Sequence, residues 1–177
     1  MDDVKPVSTP LAANEKIRKD GTERFKDPAL YHSVVGVLQY LYLTRPDISI
    51  FVNKVCQYAH DPFIEHWELV KMIIRYLKTT VGYVLHLGAS RNYSLHAYSD
   101  ADWAGSLDDC RSTSGYCIYF RGNLISWSSR KQKTVSKSST EAEYRGVAIE
   151  TSEIIWIQSL LQELGFNIST PFYGVTT

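Results

Sequence analysis

Apolar positions fall into two regimes along the chain. From Asp27-Pro28 onward they recur at spacings of three and four: Tyr31, Val34, Val35, Leu38 and Leu41 mark one helix, with Pro28 suited to its first turn. Thr44-Arg45-Pro46-Asp47 supplies a cap and a first-turn proline for a second helix, whose buried side is Ile48, Phe51, Val52 and Val55. His60-Asp61-Pro62 breaks it, and a third helix is predicted from Ile64 to Leu77 with Trp67, Val70, Ile73, Ile74 and Leu77 as its stripe. These three make a small helical segment over 27–80. Before it, residues 1–26 mix Pro, Ser, Thr, Lys and Asp with few large apolar side chains, the pattern of a flexible segment.

After residue 80 the period changes. Tyr83 to Leu87 and Tyr93 to Ser99 have strand composition, with a turn from Gly88 to Asn92. Gly115 to Phe120 and Leu124 to Trp127 flank Arg121-Gly122-Asn123, a turn that Gly and Asn favour, and so predict a hairpin. Thr140 and Glu143 have the spacing of a capping box, opening a long helix with Tyr144, Val147, Ile154, Ile157, Leu161 and Leu164 on its buried side. Gly165 stops that helix, and Pro171 to Val175 begins another strand. The expected fold class of 81–177 is therefore α/β, a mixed sheet with a long helix packed across it.

Two acidic stretches carry the candidate chemistry. In Tyr98-Ser99-Asp100-Ala101-Asp102-Trp103-Ala104-Gly105, Asp100 lies at a strand end, and the period of two puts Asp100 and Asp102 on one face. A strand-end Asp is also simply a good turn former. In Ser138 to Tyr144, at about 100° per residue, Glu143 projects near the middle of the apolar side of the helix and Glu141 roughly opposite. A carboxylate on a buried face needs compensation by capping, a cation or a metal. Asp100 and Glu143 together can form half of a carboxylate metal site.

Net charge is zero, with 19 basic and 19 acidic side chains, so nothing global argues for nucleic acid. The distribution says more: Cys110 to Thr140 holds no acid, while Arg111, Arg121, Arg130, Lys131, Lys133 and Lys137 form a basic run able to neutralise phosphates or simply to solvate a hairpin. Cys56, Cys110 and Cys117 show no disulfide or zinc spacing, and His32, His60 and His66 share no metal-binding spacing. The sequons at Asn92 and Asn167 are read as chance. No apolar run approaches the roughly 18 residues of a membrane span. The N-terminus lacks the apolar core of a signal peptide, so an intracellular chain, cytoplasmic or nuclear and without a membrane partner, is expected.

Four motifs in order, Tyr98 to Gly105, Arg111 to Tyr116, Ser126 to Gln132 and Ser136 to Tyr144, resemble the ribonuclease H region of copia-type retrotransposon Pol polyproteins. Tyr31 to Leu43, Thr44 to Ile48, Val52 to Val55 and His66 to Lys78 resemble the tail of the reverse transcriptase of the same polyproteins. The resemblance implies a ribonuclease H-like fold, magnesium or manganese as cofactor, and hydrolysis of the RNA strand of an RNA/DNA hybrid. Asp100 then matches the first-strand acid and Glu143 the helix acid, both catalytic and metal-binding, with Asp102 an alternative ligand. It further implies a domain truncated at its C-terminus, with a third and a fourth acid lying beyond Tyr173, and the remainder of a Pol polyprotein as partner. No Tyr-x-Asp-Asp occurs, and Leu107-Asp108-Asp109 has the wrong context, so DNA polymerisation is not expected. Two carboxylates hold one ion weakly, which predicts feeble cleavage or none. The alternatives are a module that binds nucleic acid through the basic run without catalysis, and a protein-interaction remnant.

Overall fold

The computed structural model describes residues 7–10, 17–90, 92–168 and 170–175. The chain forms two compact units, Met1–Val84 and Leu85–Thr177.

The first unit is helical: α1 (Pro28–Leu41), a 3-10 turn (Pro46–Ile48), α2 (Ser49–Cys56) and α3 (Ile64–Thr79). Asp27 caps α1 by accepting the Leu30 N–H at 2.9 Å. Tyr31, Val35, Leu38, Ile48, Val52, Val55, Leu69, Val70 and Ile73 form its core. The buried face of α3 is rotated from the predicted stripe, with His66, Leu69 and Tyr76 inside and Trp67, Ile74 and Leu77 at the rim. His66 is structural. Its ring stacks on Tyr58 with centroids 3.9 Å apart, Nδ1 accepts the Phe63 N–H at 3.0 Å, and Nε2 faces the Arg18 carbonyl at 2.9 Å.

Part of the expected flexible segment 1–26 lies outside the described residues, at 1–6 and 11–16. The stretch from Ile17 to Phe25 departs from that expectation, because it is pinned to the unit. The Phe25 N–H donates to the Pro62 carbonyl at 2.8 Å, the Ile64 N–H donates to Glu23 at 2.9 Å, and the Phe25 ring stacks on Trp67. Two apolar anchors and a backbone bridge order a segment whose composition is otherwise polar.

The second unit contains β1 (Leu95–Asp102), β2 (Thr113–Phe120), β3 (Asn123–Lys131), α4 (Ser139–Glu163) and β4 (Phe172–Val175). The sheet order is β3-β2-β1-β4; β1, β2 and β3 are antiparallel neighbours and β4 runs parallel to β1. Arg121 and Gly122, both at positive φ, make the two-residue hairpin turn. β3 runs on to Lys131, so Arg130 and Lys131 are strand residues.

The predicted strand from Tyr83 to Leu87 is not formed. Its residues pair with no strand, and the neighbouring Gly88 bonds in both directions to the Asn123 side chain instead. The buried face of α4 is Ala142, Gly146, Glu150, Ile154, Ile157 and Leu161. Tyr144 is 73% exposed and Leu164 64% exposed, against expectation. Small residues set the approach: a Cβ added at Gly146 would lie 3.5 Å from Ser114 Oγ and 3.8 Å from Ala101 Cβ. A stripe drawn through large side chains misses this close contact.

Candidate functional site

β1 alternates in burial. Leu95, Ala97, Ser99 and Ala101 are buried on the α4 side, and Tyr98, Asp100 and Asp102 are exposed on the other. The first turn of α4 comes to the same end of the sheet. Partial burial first, and the negative charge of Asp100 second, push the Glu143 carboxyl above its ordinary range. Asp100 thus sits on a strand end and Glu143 on a helix start, at one end of the unit.

The helix begins two residues earlier than the Thr140–Glu143 spacing predicts. Ser138 is the N-cap and accepts the Glu141 N–H at 3.1 Å, while Glu141 reaches back to accept the Lys137 N–H at 2.7 Å. Glu141 also pairs with Arg145 at 2.6 Å. Capping is thus the work of Glu141, and it does not compensate Glu143.

Asp102 is occupied in the β1–β2 connection. Its Oδ1 accepts the Thr113 N–H, and a Cβ at Gly105 would run into its carboxylate. Asp109 is likewise engaged: against partial burial, hydrogen bonds from Lys131, Ser106 and the Arg111 N–H pull its carboxyl down to about 2. Two carboxylates suit a hard divalent cation in kind. Among the described residues, no group of three or more His, Cys, Asp or Glu able to hold a metal ion is found.

The six basic residues of the predicted run do not act together. Arg111 and Lys131 both reach Asp109, at 3.4 and 2.8 Å. Arg121 lies at the opposite end of the sheet, its guanidinium 4.7 Å from the Tyr93 ring centre. Arg130, Lys133 and Lys137 are exposed at the end of β3 and in the loop leading into α4, the end that carries Asp100 and Glu143.

Sequence reasoning gave Gln132 no role. It is buried, and its Nε2 donates to Ser114 Oγ at 2.8 Å and to the Ala142 carbonyl at 2.9 Å, while Oε1 accepts from Ser136 Oγ at 2.8 Å. One amide thus ties β2, the basic loop and the first turn of α4. An amide between two basic residues and a Ser-rich loop was the available signal. Glu150 is 1% exposed; burial raises its carboxyl, and the Ser99 hydroxyl partly offsets this.

The arrangement defines a mixed α/β unit with a four-stranded sheet and a long helix, Asp100 on a strand end and Glu143 in the first turn of the helix. The chain is 51% identical over 94% of its length to the "Retrovirus-related Pol polyprotein from transposon RE2" of Arabidopsis thaliana, and equally so to that from transposon RE1. It is 43% identical, again over 94%, to the corresponding polyprotein from transposon TNT 1-94 of Nicotiana tabacum. It belongs to the copia-type retrotransposon Pol polyprotein family. The chain spans 11–13% of the length of those polyproteins. No protein-family profile and no solved structure matches it. Among the described residues, no helix is long and apolar enough to cross a membrane.

Proposed function

We propose that the second unit is a ribonuclease H-like region acting on RNA/DNA hybrid, and that Asp100 and Glu143 are its metal-binding acids. The observation that carries this reading is placement: Asp100 ends β1, Glu143 lies in the first turn of α4, and capping of that turn is done by Ser138 and Glu141, which leaves the Glu143 carboxylate to other work. Three antiparallel strands with a fourth parallel to the first, crossed by the helix that bears the second acid, support the ribonuclease H-like fold. The first unit corresponds to the reverse-transcriptase tail, and an intracellular setting follows from the same lineage.

Asp100 and Glu143 would hold a magnesium or manganese ion, which relieves their mutual repulsion. When bound, such an ion polarises a phosphate oxygen and lowers the pKa of a coordinated water. The chain's own contribution is placement. Gln132 fixes the first turn of α4 relative to β2, and the exposed Lys133 and Lys137 neutralise backbone phosphates at the same end. Two carboxylates are fewer than a two-ion centre needs, so cleavage by this chain alone is feeble. Further ligands come from the substrate or from the remainder of a Pol polyprotein.

The test is cleavage of an RNA-labelled hybrid with magnesium or manganese, beside Asp100→Asn and Glu143→Gln. Weak cleavage abolished in both variants supports the reading; cleavage unchanged in either refutes the assignment. A second reading, binding without catalysis, is favoured by the exposure of Arg130, Lys133 and Lys137. It predicts salt-sensitive, metal-independent binding that Asp100→Asn leaves unaltered.

A further inference from the structure

The geometry points to Trp103 as a nucleotide contact of this site: a fixed indole face beside the acid pair, on which a sugar or base of the bound strand rests. The inference rests on the reading above for the identity of the hybrid, and on the following observations for the contact itself.

Trp103 is 53% exposed, three residues past Asp100 and at the same end of the sheet. Large exposed apolar side chains are ordinary on a protein surface. This one differs because its indole N–H is anchored while about half of the residue stays exposed. Nε1 donates to the Ser136 carbonyl at 3.1 Å. Ser136 is buried and its hydroxyl donates to Gln132 Oε1, and Gln132 Nε2 in turn donates to the Ala142 carbonyl, one residue from Glu143. The ring is thus tied by successive hydrogen bonds to the helical turn that carries the second acid. The backbone after it is fixed as well: Ala104 has φ 53° and donates its N–H to Ser112 Oγ at 3.1 Å.

Both signs of charge border the ring: Asp100 and Asp102 precede it on β1, and cations lie on the loop that anchors it. The loop that receives the indole N–H also carries Lys133 and Lys137, both exposed, and no acid occurs between Cys110 and Thr140. An aromatic ring anchored at its N–H and bordered by exposed cations suits nucleic acid, where cations track the phosphates and the ring packs on a sugar or base. An ordered ring also gives up little conformational freedom on binding.

The experiment is binding of a fluorescently labelled RNA/DNA hybrid to the whole chain by anisotropy, in chelator and over a range of salt. The expected result is that Trp103→Ala weakens binding about tenfold at every salt concentration. The slope of log affinity against log salt stays unchanged, and Trp103→Phe, which keeps a ring but loses the tether, retains most of the affinity. Lys133→Gln with Lys137→Gln reduces that slope by about two. Wild-type affinity in Trp103→Ala overturns the inference. So does an equal loss in Trp103→Ala and Trp103→Phe accompanied by a lowered unfolding midpoint, which assigns Trp103 to the fold alone. Failure of the wild-type chain to bind hybrid overturns it too. Trp103-dependent binding without cleavage refutes the hydrolytic reading and leaves the contact standing.

Discussion

One acidic setting from each unit makes an instructive contrast. In the helical unit the Arg45 guanidinium is buried and fully partnered. Its Nε and one terminal nitrogen grip the two Asp47 oxygens at 2.9 and 2.7 Å, and it donates to the Thr80 carbonyl and hydroxyl at 3.0 and 2.7 Å. The Tyr76 hydroxyl donates to Asp47 at 2.8 Å. Arg45 therefore holds the Asp47 carboxyl below its ordinary range. In the sheet unit, burial pushes both Glu143 and Glu150 upward, and Asp100 pushes Glu143 further in the same direction. Asp47 arrives with its counter-charge, whereas among the described residues Asp100 and Glu143 form no ion pair. The difference is what makes the pair a candidate cation site rather than another structural element.

The largest effect should come from breaking the satisfied network. Arg45→Ala leaves Asp47 and Thr80 without their partner, and is expected to destabilise the helical unit by about 3 kcal/mol in urea unfolding. Gln132→Ala strips hydrogen bonds from the buried Ser114 and Ser136 hydroxyls and from the Ala142 carbonyl, a loss of about 2 kcal/mol seen as a lower unfolding midpoint. It should also weaken any hybrid cleavage, since the same amide positions the Glu143 turn.

Glu150 sharpens the contrast by its sign. Its carboxyl is raised in the folded chain, so the native state holds the proton more tightly than the unfolded state. Stability is then lost as pH rises from the ordinary Glu range through the raised value. Asp47 has the opposite sign: its contribution is present above the unfolded pKa and is lost as pH falls through the lowered one. Glu150→Gln should stabilise the sheet unit by about 1 kcal/mol at neutral pH and flatten its alkaline-side loss, as measured by thermal unfolding over pH. The smallest effect is expected from Ser138→Ala, which removes the α4 N-cap at a cost of about 1 kcal/mol or less.

Much of this was legible from periodicity and turn chemistry. The Pro-led starts of the first two helices, the Arg121-Gly122 hairpin and the Gly165 stop follow from local rules, and each element forms near its expected place. The contrast expected between Glu143 inside and Glu141 outside is not resolved by burial: both are half-buried, and Ala142 between them is the residue that packs inward. Most of the failures arise where tertiary contact overrode local pattern. Tyr83 to Leu87 has strand composition but no strand beside it. Tyr144 and Leu164 keep helical spacing, yet Ala142 and Gly146 set the contact because only small residues let α4 approach the sheet. The cap fell on Ser138 because two Ser and a Thr offered competing starts, and Glu141 had a reachable N–H. Gln132 was invisible, since its value lies in three partners distant along the chain.

The central claim is that Asp100 and Glu143 together make a divalent-cation site. The most direct test is titration of the metal-free chain with manganese, followed by isothermal calorimetry, for the wild type, Asp100→Asn and Glu143→Gln. Weak binding of one ion that disappears in both variants, with unfolding midpoints equal to or above the wild type, is the predicted result. Binding of equal strength in all three chains would contradict the account.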